Sequence, residues 1–327
     1  MADSISIREA IEDYLDNILL SRAELTFRSY RNGLNLFKDI LERNGINPEG
    51  DPIENITEDA IAWFATSLKK YSPATERLYL SSAVGFFEFI VAERIAEPNL
   101  PRIRLLVRQR ARRVGQRLPQ FPRESIEQIV NYFTSSFISH SNQRNEFLRT
   151  LRNKAFIITL ADSGLRVHEA CSLRRGDVDW NEGKAIVLGK GDQQSVVRFS
   201  SRAVRALKDY LRARSELDGH SGRPLPSLPL FARHDRGAGK KIKPITTTTG
   251  RNIVRDVVKM VLGEDAVGTI TPHSFRHYFV TTVLRGSGGN LKLAQELARH
   301  KNIQVTQRYA HLSDDELDQR YYEIFEK

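Results

Sequence analysis

Hydrophobic residues recur through the first hundred positions at the spacing of an amphipathic helix. Four large hydrophobic residues from Tyr30 to Leu41 lie three or four positions apart, which places them on one side of a helix. Ser21 and Glu24 have the spacing of a capping box ahead of that side. The pattern predicts a helix that begins near Ser21 and buries this side.

Two further helix starts follow in the same region. Thr57 precedes acidic residues, as N-cap residues often do, and Ser72 precedes Pro73, which is favoured at the first helical position. Hydrophobic residues within 80–91 then repeat along one side of the helix that Ser72 opens. We predict an all-α domain over residues 1–101.

The second half of the chain combines helices with a short pair of strands. Residues 147–163 are largely apolar, and Gly164 is placed to end their helix in a left-handed conformation. Residues 185–188 and 195–199 are strand candidates, joined by the hairpin signal Gly-Lys-Gly-Asp at 189–192. A small antiparallel sheet is expected here.

Helical signals also flank this sheet. We expect helices to start near Val167 and Ser201, and Thr271 with Pro272 to cap another. Residues 217–249 are rich in glycine, proline, threonine and basic residues, so we predict a loop with little regular structure. The predicted fold is therefore mainly α with a small β-sheet.

Every charged residue from position 102 to position 123 is an arginine, and eight arginines occupy this segment. Such a run repels itself unless an anionic partner neutralises it, so we predict a linker at 102–122 that follows a DNA backbone. The alternative is a solvated, extended tether. The linker would separate the helical domain at 1–101 from an α+β domain at 123–327.

The charge of the chain favours a polyanionic partner. Lysine and arginine number 50 against 40 acidic residues, for a net charge of +10. The alternative for each basic helix side is simple solvation. The predicted DNA contacts are Arg28, Arg31, Lys69, Lys70 and Arg77 in the helical domain and Arg108, Arg110, Arg112 and Arg113 in the linker.

Several classes of protein are disfavoured. The N-terminus lacks a secretory signal pattern, and no uninterrupted apolar run is long enough for a bilayer, so we expect a cytoplasmic protein. A single cysteine, Cys171, excludes an internal disulfide and a thiolate zinc cluster. His273 and His277 have a spacing that can bind zinc, but neither an acidic base nor a third ligand accompanies them. We expect no metal and no cofactor.

Five features of the second half occur together. They are Gly-Leu-Arg-Val-His-Glu at 164–169, Gly-Lys-Gly at 189–191, His-Ser-Phe-Arg-His at 273–277, His300 and Tyr309. In this order they resemble the tyrosine recombinase, or phage integrase, family. The N-terminal half is similar to the family's helical, SAM-like core-binding domain, and residues from about 123 onward are similar to its catalytic domain. The compact size resembles the Xer group within the family.

The chemistry of these residues suits attack on a phosphodiester. Arg166 and Arg276 each offer a planar fork of donors to the phosphate oxygens, where negative charge accumulates. Lys190, at a hairpin tip, is placed to protonate the leaving 5′ oxygen, which is also the role that the resemblance implies. Tyr309 is predicted to be the nucleophile, with His273 as its proton acceptor.

The resemblance implies supporting roles for two more residues. His300 would hydrogen-bond the phosphate, and Glu169 would hold the site together. Two positions depart from the family's usual pattern. Arg299 stands where a glycine commonly precedes the histidine, where it changes the local backbone or adds a phosphate contact, and His168 stands where a small residue is frequent.

The resemblance implies a site-specific DNA recombinase. Attack by Tyr309 would leave a 3′-phosphotyrosyl link and a free 5′ hydroxyl, so rejoining needs neither nucleotide nor metal. A homotetramer would assemble on two duplexes of double-stranded DNA, and the amphipathic tail at 313–327 would pack on the next protomer or on its own domain. One alternative is a DNA-binding accessory protein with an altered site. Another is a relative that relaxes supercoils or resolves hairpin ends.

Overall fold

The computed structural model describes residues 5–112, 122–135, 144–189, 194–235, 237, 241–307 and 309. The chain divides into two compact units, Met1–Gln116 and Arg117–Lys327. The features predicted at Arg113, at Lys190 and at residues 313–327 lie outside the described residues.

The regular secondary structure of the N-terminal unit is helical in its described part. Short 3-10 turns at Ile53–Asn55 and Leu68–Lys70 lie between its longer helices. The α-helices are α1 (Ile7–Ser21), α2 (Glu24–Arg43), α3 (Asp59–Ser67), α4 (Pro73–Ala92) and α5 (Leu100–Arg110).

Aromatic rings fill the core of this unit. Phe37 of α2 packs edge-on against Phe64 of α3 and Phe87 of α4, with ring centroids 5.1 Å and 6.2 Å apart. All three rings are fully buried. Burying one such side chain contributes about 1.5–3 kcal/mol. Three helices are therefore fixed together by the hydrophobic side that the sequence pattern predicts for α2.

The capping box predicted at Ser21 and Glu24 is wrong. Ser21 ends α1, where its hydroxyl donates to the Asn17 carbonyl at 2.8 Å, and α2 begins at Glu24 without a side-chain cap. A capping box occurs instead at the start of α1, where Ser6 and Glu9 cap each other's backbone N–H groups. Within the N-terminal unit the Ser-x-x-Glu spacing occurs at both of these places, and only the copy ahead of α1 caps a helix.

The segment predicted as the start of the linker is a helix, α5. The Asn99 side chain accepts a hydrogen bond from the Arg102 backbone at 3.0 Å, and Pro101 lies in the first turn, where its missing N–H costs nothing. Ile103 is fully buried in the core of the N-terminal unit. The first part of the predicted linker is therefore helical and packs into the N-terminal unit.

The C-terminal unit combines helices with a three-stranded antiparallel sheet in the order β1-β2-β3. The strands are β1 (Val178–Asp179), β2 (Lys184–Leu188) and β3 (Gln194–Arg198). The helices are α6 (Arg123–Ser135), α7 (Arg144–Ser163), α8 (Val167–Ser172), α9 (Ser201–Gly219), α10 (Thr247–Leu262), α11 (Pro272–Gly286), α12 (Leu291–Ala298) and α13 (Ile303–Gln307). The predicted fold class, mainly α with a small sheet, is confirmed.

Strands β2 and β3 pair with Ala185 opposite Val197 and Ile186 opposite Val196. Ala185 and Val197 are buried against the core, whereas Ile186 and Val196 face outward. The predicted strands are confirmed, because alternating burial follows from the two-residue period of a strand. Strand β1 has only two residues, too few for such a pattern to appear in the sequence.

The long loop predicted at 217–249 is shorter and more firmly packed than expected. Helix α9 continues to Gly219, and α10 begins at Thr247. Between them Leu230 and Phe231 are fully buried, and the Leu230 N–H donates to the Leu173 carbonyl at 2.8 Å. Within the described ranges, no helix is both long and apolar enough to traverse a bilayer.

Candidate active site

Arg166 lies at the junction between α7 and α8. Gly164, after the end of α7, has φ +61°, and a side chain there would collide with the Phe279 ring on α11. The predicted left-handed turn at Gly164 is thus present, and glycine is required by conformation and by space. The turn makes Arg166 the N-cap residue of α8, with its side chain about half exposed.

Arg276, on α11, is buried and ties three segments together. Its two terminal nitrogens donate to the Gly164 carbonyl, after α7, and to the Ala298 carbonyl, at the end of α12. These carbonyls carry the partial negative charge of helix C-termini, which stabilises a guanidinium. Burial, with help from Arg166 and Arg299, lowers the pKa of Arg276 to about 10, so it stays charged at neutral pH.

Glu169 is a buried carboxylate held between two arginines. One oxygen accepts from the Arg166 side chain at 2.9 Å, and the other accepts from the Arg166 backbone at 2.8 Å and from Arg299 at 3.0 Å. Burial opposes ionisation, but Arg299 and Arg166 outweigh it, so the pKa of Glu169 lies below its ordinary value. The carboxylate is therefore ionised and orients Arg166.

Tyr309 meets a pair of histidines on α11. Its hydroxyl contacts Nδ1 of His277, and the two ring centroids are 5.0 Å apart. His277 in turn packs edge-on against His273, with centroids 4.2 Å apart. Residues 273 and 277 share one side of the helix because they are four positions apart. In the sequence His277 stands out only as the end of the His-Ser-Phe-Arg-His motif and as half of a pair with zinc-binding spacing, because its contact with Tyr309 joins positions 32 residues apart.

His300 completes this side of the site. Its ring lies nearly parallel to that of Tyr309, with centroids 6.5 Å apart, and Nδ1 is 2.9 Å from the Thr306 hydroxyl. Thr306 is fully buried on α13, so this contact fixes the orientation of the imidazole. His300 follows the left-handed Arg299, which has φ +58° and ends α12.

The three histidines of the site are uncharged at neutral pH. Burial, followed by His273 and Arg276, lowers the pKa of His277 to about 4. Burial, Arg276 and Arg166 lower that of His300 to about 4, and burial and the same two arginines lower the pKa of His273. Neutral imidazoles beside a tyrosine hydroxyl can accept a proton.

Similarity to known proteins agrees with this arrangement. The phage integrase family profile matches residues 126–316, and the profile of the phage integrase N-terminal SAM-like domain matches residues 11–94. The first match alone covers more than half of the chain. This chain belongs to the phage integrase family of tyrosine recombinases.

Individual proteins are similar to this chain over most of its length. The tyrosine recombinase XerC of Treponema denticola is 27% identical over 322 residues, which is 96% of this chain and 98% of that protein. XerC of Bacillus pumilus is 30% identical over 304 residues, which is 91% of this chain and 89% of that protein. The post-cleavage complex of XerH with palindromic difH shares the fold, with a TM-score of 0.67 at 19% identity, covering 94% of this chain and 82% of XerH.

Six of the site residues predicted from the family resemblance converge in the structure. They are Arg166, Glu169, His273, Arg276, His300 and Tyr309. Lys190 lies outside the described residues, although the strands on either side of its hairpin are present. Among the described residues no group of three or more histidine, cysteine or acidic side chains is placed to hold a metal ion.

Some of the predicted DNA contacts in the N-terminal unit already form ion pairs with acidic side chains of the protein. Glu76 is buried and accepts from Lys69 at 2.8 Å and from the Arg112 backbone at 3.0 Å, and its second oxygen pairs with the Arg112 side chain. Arg28 forms an exposed ion pair with Glu24. Glu76 and Glu24 both lie on helices of this unit. The positive charge of Arg112, which belongs to the arginine run, is therefore already balanced by a carboxylate of the protein.

Other predicted contacts form no ion pair with an acidic side chain of the described residues. Arg31 lies over the Phe27 ring and Lys70 over the Tyr71 ring, each 5.4 Å from the centroid. Arg110 donates to the Ala62 carbonyl at 3.3 Å. Arg77 and Arg108 line a groove of 1140 Å³ between α1, α4 and α5.

Proposed function

We propose that this protein is a site-specific recombinase that cuts and rejoins double-stranded DNA through a 3′-phosphotyrosyl intermediate on Tyr309. The contact between the Tyr309 hydroxyl and His277 carries the proposal, because it pairs a phenol with a neutral base beside two arginines. A phenol has an ordinary pKa of about 10 and needs such a partner to attack at neutral pH.

The first step of the proposed reaction transfers a proton. As the Tyr309 oxygen attacks the phosphorus, its proton passes to Nδ1 of His277, and the ring of His273, 4.2 Å from that of His277, adjoins it. The contact of the Tyr309 hydroxyl therefore favours His277 as the immediate acceptor, and we propose that the acceptor role predicted for His273 is shared across the pair. The new bond joins the Tyr309 oxygen to phosphorus.

The arginines stabilise the charge that develops on the phosphate. Arg276 uses two donors on carbonyls of the described chain, and a guanidinium has five, so its fork has donors left for a phosphate oxygen. Arg166 is half exposed and is oriented by Glu169. Removing one such donor typically costs about 10²–10³ in rate. We propose that His300 donates to the same phosphate.

Cleavage also requires protonation of the leaving group. The bond between phosphorus and the 5′ oxygen breaks, and Lys190 supplies the proton that leaves a free 5′ hydroxyl. The energy of the phosphodiester is conserved in the phosphotyrosyl bond, so the reverse reaction rejoins DNA without nucleotide.

We further propose the domain roles and the assembly. Residues 1–101 would form a core-binding domain and 102–122 the linker, with cleavage by residues 123–327 inside a cytoplasmic tetramer on two duplexes. The tail at 313–327 would dock on a neighbouring protomer. In support, the relative XerH was captured on palindromic difH after cleavage, and a palindrome implies paired protomers. In the N-terminal unit we propose Arg31, Lys70, Arg77 and Arg108 as phosphate contacts, because they form no ion pair with an acidic side chain of the described residues.

Covalent capture tests the cleavage step. The full chain is incubated, in chelator, with a library of short duplexes randomised on both sides of a central nick, and detergent-stable protein–DNA adducts are isolated and sequenced. We expect adducts enriched in an inverted-repeat site and none with Tyr309→Phe. Adducts that survive this substitution would overturn the assignment of the nucleophile.

Two other outcomes correspond to alternative functions. DNA that is bound but never joined to the protein would favour the accessory-protein alternative. Product topology separates the remaining possibilities, because relaxation of a single supercoiled duplex needs one site, whereas exchange of flanking sequences needs two. We expect exchange.

A further inference from the structure

Arg299 occupies a backbone position that disfavours its residue type. Its φ of +58° lies in the left-handed region, which is unfavourable for an ordinary residue relative to glycine. Its Nε is buried and has no hydrogen-bond partner among the described residues. Local costs of this kind persist where the side chain makes a compensating contact, often at a functional site.

The compensating contact is the Glu169 carboxylate. The Arg299 guanidinium donates to Oε2 of Glu169 at 3.0 Å, and the two side chains are 10% and 1% exposed. The contact spans 130 positions and joins the end of α12, ahead of His300, to the start of α8, which carries Arg166. Glycine would fit the turn and could not form this link.

The charges also require a second arginine at Glu169. A buried carboxylate beside Arg166 alone would neutralise the charge that Arg166 offers to a phosphate. With Arg299 on its second oxygen, Glu169 is shared between two cations, and one positive charge remains in excess on this side of the site. Arg276 adds another, bound to the carbonyl of Ala298, the neighbour of Arg299.

We propose that Arg299 is a positioning residue that clamps Glu169, and that this clamp holds Arg166 in place for the phosphate. The inference rests on the proposed function, since it gives Arg299 a part in the cleavage step. Arg299 acts through Glu169 and does not itself bind DNA.

The test compares Arg299→Gly and Arg299→Lys with Glu169→Gln and the double variant Arg299→Gly/Glu169→Gln. Arg94→Gly is the matched control, because Arg94 is exposed, follows α4 and has φ +56°. Three quantities are measured on the full chain: the rate of adduct formation on the captured nicked site, the affinity for that duplex, and the midpoint of thermal unfolding.

We expect Arg299→Gly to slow adduct formation by about tenfold or more while DNA affinity changes by less than about twofold. Arg299→Lys should recover part of the rate because it restores a donor to Glu169. The double variant should be no slower than the slower single variant, since both changes break one clamp. The unfolding midpoint should fall in Arg299→Gly and stay or rise in Arg94→Gly.

Three results would overturn the inference. These are a wild-type rate in Arg299→Gly, a rate loss that multiplies in the double variant, and a loss confined to DNA affinity, which would indicate direct phosphate contact. The thermal unfolding midpoints of the two single variants and the double variant can be compared even if the protein shows no cleavage activity. If the wild-type chain forms no adduct, the proposed function fails, whereas coupled unfolding midpoints would still establish the clamp itself.

Discussion

The two units of this protein are stabilised in different ways. The N-terminal unit has an almost wholly apolar core, in which Glu76 is the one fully buried charge among the described residues. The C-terminal unit buries Arg152, Glu169, Arg214 and Arg276, together with Asp218. All eight histidines of the chain also belong to the C-terminal unit.

The difference follows from what each unit presents. A helical core of aromatic rings needs only the hydrophobic effect, and its arginines can stay on the surface beside acidic residues. A site for a phosphodiester needs cations held rigidly in a partly dry environment. Burying those cations is costly, so the C-terminal unit provides carbonyls and carboxylates that a simple core would not contain.

The largest effect should come from the histidine that contacts Tyr309. Asn at position 277 can accept a hydrogen bond but cannot take a proton, so His277→Asn should slow adduct formation by about 10²–10⁴. Rates on the captured nicked site measure this loss. His220→Asn, on the exposed end of α9, is the control and should retain the wild-type rate. Equal rates for both variants would exclude His277 as the proton acceptor.

The buried and surface arginines should differ next most strongly. Arg276→Ala leaves two buried carbonyls without their donor and should lower the free energy of unfolding of the C-terminal unit by about 3–5 kcal/mol. Arg102→Ala removes an exposed pair with Asp59 and a longer, 3.8 Å pair with the half-buried Glu58, and should cost less than about 1 kcal/mol. Similar losses would contradict the contrast between the units.

Each unit contains its own reporter for such measurements. Trp63 and Trp180 are the two tryptophans of the chain, and they fall in different units. Urea unfolding followed by fluorescence in a Trp180→Phe background therefore reports the N-terminal unit, and a Trp63→Phe background reports the C-terminal unit.

Acid should destabilise the units unequally. The folded C-terminal unit keeps His277 and His300 neutral to about pH 4 and His234 to about pH 3, whereas the unfolded chain protonates histidine below about pH 6.5. The unfolded state thus binds more protons as pH falls, and the free energy of unfolding should drop between pH 7 and 5 by about 2 kcal/mol for each of these three histidines.

The N-terminal unit should change little over that range, because it contains no histidine and the pKa of Glu76 is lowered to about 2 by Lys69 and Arg112 against the opposing effect of burial. Urea titrations with the two tryptophan reporters at pH 7 and 5 measure both units. Parallel losses would show that histidine burial does not account for the acid response.

The smallest predicted effect separates backbone strain from crowding. Gly164→Ala and Gly45→Ala both place a side chain at positive φ, but only position 164 faces the Phe279 ring, and nothing lies within 4 Å of a side chain at position 45. Gly164→Ala should cost about 1–2 kcal/mol more than Gly45→Ala. Urea unfolding of each unit gives the two losses in free energy of unfolding. Equal losses would show that contact with the Phe279 ring is not a reason for glycine at position 164.

Local patterns in the sequence were sufficient for most of the secondary structure. The hydrophobic side of α2, the proline start of α4, the turn at Gly164 and the β2–β3 hairpin each depend on residues a few positions apart. The failures were also local. Ser21 and Glu24 have the correct spacing for a cap, but a helix was already ending at Ser21.

The candidate site residues, from Arg166 to Tyr309, could be recognised from the sequence because the order and spacing of their motifs resemble a known family. What the sequence alone could not determine is which side chains touch. The contact of Tyr309 with His277, the sharing of Glu169 by Arg299 and the pairing of Glu76 with Arg112 join positions 32, 130 and 36 residues apart. Such contacts depend on how helices pack, and helical periodicity specifies which side is buried but not its partner.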